Sequence, residues 1–185
     1  QLGLTQNYIQ DQYAILSGYV VSLLVTPTFF CTIIYRLYLP IATDDLYYHK
    51  STAFLHLLYA LLICLLIGLP FTLIFYFFPK QSLMILYNTT SGYQQLKYMA
   101  FPFLLFYLQT PLSTILQAKN KNKVMFIISI IECTLEIILT YTLSHYLYVN
   151  AILISLFTGL ITTLTLSAIY CFKIIIKDTS LSRSV

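Results

Sequence analysis

Charged side chains are scarce in this sequence, which has ten lysines and arginines and six aspartates and glutamates among 185 residues. They make up 9% of the chain, against roughly 25% in an average soluble domain, whereas hydrophobic residues reach 59%. The apolar residues occur in runs too long to leave a polar face for water, so these runs need lipid around them. The composition therefore excludes an ordinary soluble domain and predicts a membrane protein.

The patterns typical of enzymes and of metal sites are also missing. The four cysteines form no C-x-x-C pair, and no histidine lies at ligand spacing from them. The sequence has no nucleophile elbow, Walker loop or glycine-rich dinucleotide motif. We therefore predict no catalytic residue, no metal and no cofactor, and the net charge of +4 requires no nucleic-acid partner.

Five apolar runs are near or above the roughly 20 residues that a helix needs to cross a bilayer. They cover about residues 13–36, 53–78, 98–117, 124–145 and 150–172. We predict an all-α, polytopic transmembrane bundle of five helices. Prolines at positions 27, 70 and 111 interrupt three of these runs, where membrane helices tolerate them as kinks.

The basic residues of the segments between these runs predict the orientation in the membrane. Successive loops and chain ends lie on opposite sides of the membrane, and this alternation assigns eight lysines and arginines to one side and two to the other. Because basic residues concentrate on the cytoplasmic side, we predict that the first residues lie outside and that the tail is cytoplasmic. This asymmetry also accounts for the positive net charge.

The first predicted helix has a mixed polar half. At about 100° per residue, Ser22, Thr26, Thr32 and Arg36 fall on one half of the helical wheel, and the opposite half is apolar or aromatic. Small hydroxyls often serve close helix packing, whereas a polar half also suits the wall of an aqueous cavity. Both interpretations remain open at this point.

Two acids interrupt the fourth run. Glu132 and Glu136 stand one helical turn apart, on one side of the predicted helix. An acidic residue at mid-membrane costs roughly 2.5 kcal/mol or more, so we expect both to face protein or water and to be able to share a proton. They form either a cation or proton relay or a structural pair satisfied by threonine hydroxyls or by a basic partner on another helix.

Two adjacent acids, Asp44 and Asp45, stand between the first two predicted helices. Adjacent carboxylates can hold a divalent metal that carries a diphosphate, as a sugar transferase would require. A solvated loop is the simpler interpretation, in which one of the two acids caps the next helix.

Five motifs occur in a recognisable order along the chain. They are "RLYLPIA", "IGLPFTLIFYFFP", "LMILYN", "ILQAKNK" and "EIILTYTLSHYLYVNA". In order and spacing they resemble the C-terminal half of a polysaccharide-biosynthesis flippase of the stage V sporulation protein B type. That type belongs to the multidrug, oligosaccharidyl-lipid and polysaccharide (MOP) exporter superfamily, which includes MATE-like transporters.

The resemblance implies that residues 1–185 form a partial C-terminal lobe of a two-lobe transporter, without its N-terminal lobe. It implies a multi-pass protein of the bacterial inner membrane that moves a lipid-linked glycan by alternating access. It also implies that Ser22, Thr26, Thr32 and Arg36 line the central cavity. Glu136 stands where relatives often have a lysine, which puts an inherited substrate contact there in doubt.

Three other functions remain open at the level of sequence. The first is a multidrug or cation antiporter of the same superfamily, coupled through Glu132 and Glu136. The second is a membrane glycosyl- or phosphosugar-transferase that uses Asp44 and Asp45, and the third is a membrane scaffold without transport activity.

Overall fold

A computed structural model describes residues 6–48, 52–147 and 149–182, with the backbone alone for 6–9, 145–147, 149 and 177–182. These residues form helices and turns, and no strand occurs among them. Four helices are long and apolar enough to cross a membrane, and a bent pair at the start of the chain makes a fifth crossing if it is one span. The predicted all-α bundle with the character of a transmembrane protein is confirmed.

We call the bent pair at the start of the chain the first span, and it consists of several helical pieces. They are α1 (Gln6–Ile15), a π-helical stretch (Leu16–Val21), α2 (Ser22–Val25) and α3 (Thr28–Tyr47). The chain bends by 41° between the two halves of this span. The break falls at Pro27, which has no N–H to donate to the preceding turn, so the predicted kink lies at the predicted residue.

The end of the first span differs from the prediction. The first predicted run ends at Arg36, and the segment between it and residue 53 is predicted to connect two helices, yet α3 continues through Pro40 to Tyr47. The reason is tertiary packing, because Tyr38, Ala42 and Leu46 recur at four-residue spacing and are all buried in the core.

Five helices follow. They are α4 (Ala53–Phe77), α5 (Pro79–Tyr87), α6 (Tyr93–Ala118), α7 (Asn122–Leu147) and α8 (Val149–Ser182). Each predicted run from the second to the fifth is matched by one long helix, with ends that shift by up to about ten residues. The predicted 79–97 loop contains α5, a nine-residue helix that starts with a proline at its first position. Helices α4 and α6 continue through the prolines at 70 and 111.

Helix α6 lies at the centre of the bundle and contacts α3, α4 and α8. Half of its membrane-crossing window is buried, against 6% for α7, which packs mainly on α8. The centre of the bundle and its edge therefore differ sharply in burial. The outer face of α7 is rich in exposed isoleucine, which is suited to contact with lipid.

Glycine permits close contacts at two places in the bundle. A Cβ atom on Gly68 of α4 would lie 2.6 Å from the Tyr107 ring of α6, so only glycine lets these helices approach so closely. Gly92, which precedes α6, has φ of +88°, and a Cβ atom there would meet Ile15 and Val20 at under 3 Å. The loop before α6 therefore rests directly on the first span.

Candidate functional site

The four residues predicted to line a cavity all lie on the surface of the bundle. Ser22, Thr26, Thr32 and Arg36 are exposed, and a Cβ atom added at Gly18 on the same span would meet nothing within 4 Å. The three hydroxyls donate to carbonyls of their own span at 2.9–3.3 Å. We call Ser22, Thr26, Thr32 and Arg36 the polar face of the first span, and none of them is used for packing inside this bundle.

The bend at Pro27 is held by side-chain hydrogen bonds. The buried Tyr107 hydroxyl of α6 donates to the Leu24 carbonyl at 2.6 Å, and the Thr28 hydroxyl donates to the Val25 carbonyl at 2.6 Å. These bonds satisfy carbonyls beside the break, as a membrane interior requires. The polar face is therefore carried on a span whose bend is fastened to the central helix.

Helix α6 adds a polar stripe that the sequence analysis missed. Gln109, Ser113 and Gln117 recur at four-residue spacing and are all half-buried. The Tyr35 hydroxyl of α3 donates to the Gln117 side-chain oxygen, which links the end of this stripe to the first span. Two glutamines in a predicted transmembrane run were the available signal, because amide side chains are rare in lipid contact.

Helices α7 and α8 meet along a ladder of polar and small residues. The Thr140 hydroxyl donates to the Ser155 hydroxyl at 2.7 Å. One turn further, the Glu136 side chain lies against Gly159, where an added Cβ atom would be 2.5 Å from its carboxylate oxygen. Two turns further, Thr163, whose hydroxyl donates to the Gly159 carbonyl at 3.0 Å, lies beside Glu132. Each step of four residues along α7 is matched by four in reverse along α8, as antiparallel helices require. We call this contact the acidic seam.

Glu132 and Glu136 are surrounded by residues of the acidic seam. Both are half-buried and turn towards α8, and neither forms an ion pair with a described lysine, arginine or histidine. Thr163 lies beside Glu132, and Gly159 leaves room for the Glu136 carboxyl group. Small and hydroxyl-bearing residues of α8 therefore line the two acids.

The two aspartates have separate environments. Asp45 is buried within α3, accepts a hydrogen bond from the Thr52 hydroxyl at 2.8 Å and lies 2.7 Å from His56 Nδ1, whereas Asp44 is exposed. Asp45 therefore contacts the start of α4 at its N-cap residue, Thr52, and in its first turn at His56. Because α3 continues to Tyr47, it places Asp45 across from α4 as a clamp between the two helices.

We expect Asp45→Asn to lower the free energy of unfolding by about 1 kcal/mol, because an amide cannot replace a carboxylate opposite both Thr52 and His56. A thermal melt of the detergent-purified protein measures the change. Asp44→Asn is the matched control, since it removes the same charge from an exposed neighbour and should leave the melting temperature unchanged. Equal shifts in the two variants would show that charge alone, without the clamp, is responsible.

In the ranges that the structure describes, no group of three histidine, cysteine, aspartate or glutamate side chains is arranged to hold a metal ion. Comparison with known proteins provides no further assignment. No family model matches the chain, and neither a curated protein nor a solved structure matches it.

Proposed function

We propose that this chain is part of a membrane transporter that flips or exports a lipid-linked glycan by alternating access. The polar face of the first span is the observation that supports this proposal best. An arginine and three hydroxyl side chains lie exposed on this span, among exposed apolar side chains that include Phe29, Ile33 and Leu37. The hydroxyls donate hydrogen bonds to carbonyls of their own span, whereas the Arg36 guanidinium needs water, an anion or protein around it.

The polar stripe of α6 supports the same proposal. The Tyr35 hydroxyl links Gln117 of α6 to α3, the helix that carries Thr32 and Arg36. A substrate with many hydroxyl groups would find hydrogen-bond donors and acceptors on both helices. The exposed faces of α4 and α7 are dominated by leucine, isoleucine and phenylalanine, which suit lipid.

A second lobe is the partner that this proposal requires. In the proposed architecture the polar face meets a water-filled space between two lobes, and the resemblance to MOP exporters motivates that architecture. The basic end of the bundle, where α6 ends and α7 begins, would face the cytoplasm of a bacterial plasma membrane. The first residues would then lie outside.

The alternatives receive less support from the contacts. A cation antiporter coupled through Glu132 and Glu136 would expose these acids to a pathway, whereas both turn towards α8. A metal-dependent transferase would use Asp44 and Asp45 together, whereas Asp45 is engaged with Thr52 and His56. A scaffold has no need of an exposed arginine within a bent span.

Thiol labelling tests the aqueous cavity. In the complete protein carrying Cys133→Ala, single cysteines at Ser22, Thr26 and Thr32 should react with a charged, membrane-impermeant thiol reagent. Cys133 is removed because it is the exposed native cysteine, whereas the other three are buried. We expect labelling at least about tenfold faster than at lipid-facing positions, because a thiol in hydrocarbon meets neither water nor the reagent and stays protonated. The measurement is the modified fraction against time, in sealed vesicles of each orientation.

Leu66→Cys and Ile137→Cys are the matched controls. These side chains are 72% and 65% exposed in the bundle, but they lie on apolar faces. If they react as fast as the three polar-face positions, the labelling reports only that a side chain lies on the surface of the bundle, and the aqueous cavity is contradicted. If none of the polar-face cysteines reacts from either side, the transport proposal fails.

A further inference from the structure

We propose that the basic end of the bundle contains a binding site for one anionic phospholipid. The site is a cavity of about 210 Å³ between the end of α6, the start of α7 and the last part of α8. It is lined by Lys121 and Lys173 together with Leu116, Val124, Tyr170 and Ile174. Two ammonium groups in an otherwise apolar and aromatic cavity suit a phosphate diester with hydrocarbon attached.

The local structure holds the first lysine at the cavity. Asn120 has φ of +55°, and the Lys121 N–H donates to the Leu116 carbonyl at 2.8 Å. The turn therefore folds back on the end of α6 and places the next residue over the gap to α8. Among the described acids, none forms an ion pair with Lys121 or Lys173, so both charges are available for an anion.

An exposed apolar face of α8 beside the cavity favours a lipid over a free anion. Lys173 lies on this face together with Ile169, Phe172 and Ile176. The three apolar side chains are 43–67% exposed. A phosphate held at Lys173 would thus have an apolar surface next to it, along which an acyl chain can lie. Clusters of basic residues between helices at a membrane surface are known to bind anionic headgroups by this combination.

The lysines at the opposite end of the bundle have a different environment. Lys80 and Lys97 each lie over a tyrosine ring, at 4.6 and 5.1 Å from the ring centre. Lys119, at the same end as the proposed site, lies over Tyr47 and donates to the Leu46 carbonyl. Lys121 and Lys173 differ from these three lysines because both line the same cavity.

Lipid titration of the purified complete protein, followed by native mass spectrometry, tests the site. The probes are phosphatidylglycerol, phosphatidylcholine and inorganic phosphate. We expect the wild-type protein to prefer phosphatidylglycerol, and the double variant Lys121→Gln with Lys173→Gln to lose about thirtyfold in affinity for it, at about fivefold for each lysine. Affinity for phosphatidylcholine should change by less than about twofold.

The double variant Lys80→Gln with Lys97→Gln is the matched control, because it removes the same charge at the other end and should keep the phosphatidylglycerol affinity. Lys121→Arg with Lys173→Arg should also keep it, and this pair tests the site even if the glutamine pair fails to fold. An equal loss in both glutamine pairs would overturn the proposal in favour of general charge attraction. Displacement of the lipid by millimolar phosphate would overturn it in favour of a free-anion site. None of these outcomes depends on the transport proposal.

Discussion

Tyr107→Ala should lower the free energy of unfolding by about 3–5 kcal/mol, the range seen when a buried aromatic ring is removed from a packed core. The ring is 1% exposed and lies against Gly68 of α4, while its hydroxyl holds the bend of the first span at Leu24. Three helices therefore lose a shared contact at once. Unfolding in a graded denaturing detergent, followed by circular dichroism, measures the loss.

Tyr98→Ala provides the control for this change. Tyr98 is on the same helix but is 71% exposed, so its removal opens no cavity and should cost less than about 1 kcal/mol. A comparable loss in the two variants would mean that the Tyr107 ring does not pack between these helices.

Tyr107→Phe separates the hydroxyl from the ring. This variant keeps the packing against Gly68 but leaves the Leu24 carbonyl without its donor, which should cost about 1 kcal/mol. Distances between spin labels on the two halves of the first span should also become more widely distributed, because the bend loses its tie to α6. An unchanged distribution would show that Pro27 alone maintains the bend.

Gly159→Leu should have the second largest effect on stability, at about 3 kcal/mol, because it forces a side chain into the closest contact of the acidic seam. The first added atom would already lie 2.5 Å from Glu136 Oε1 and 3.0 Å from its Cγ. Since α7 packs mainly on α8, we expect α7 to separate from the bundle first. Faster hydrogen exchange confined to α7 is the observable, measured together with the denaturation midpoint.

A control substitution and a double-mutant cycle identify Glu136 as the group that is displaced. Gly18→Leu is the control, because an added Cβ atom there meets nothing within 4 Å. In a double-mutant cycle, Glu136→Ala should recover about 1 kcal/mol of the cost of Gly159→Ala. Strict additivity of the two changes would contradict the contact.

Several features were predictable from sequence because they depend on local composition. The all-α class, the four long helices α4, α6, α7 and α8, and the break at Pro27 follow from hydrophobic length and from the chemistry of proline. The i, i+4 spacing placed Glu132 and Glu136 on one side of a helix, and the cost of burying acids in lipid predicted that this side faces protein or water. Both side chains do turn towards α8.

Other features were decided only by contacts between distant segments. Helix α3 continues past Arg36 because Tyr38, Ala42 and Leu46 find a core to bury them, and local sequence contains no information about that core. The bond from Tyr107 to the bend and the alignment of Glu136 with Gly159 likewise join residues far apart in the chain. The clamp of Asp45 on His56 spans only 11 residues, but it needs α3 to continue past Arg36. Periodicity assigns a residue to a face of its own helix. Which helix covers that face depends on how all the helices pack together, because burial and hydrogen bonding are settled by the whole bundle.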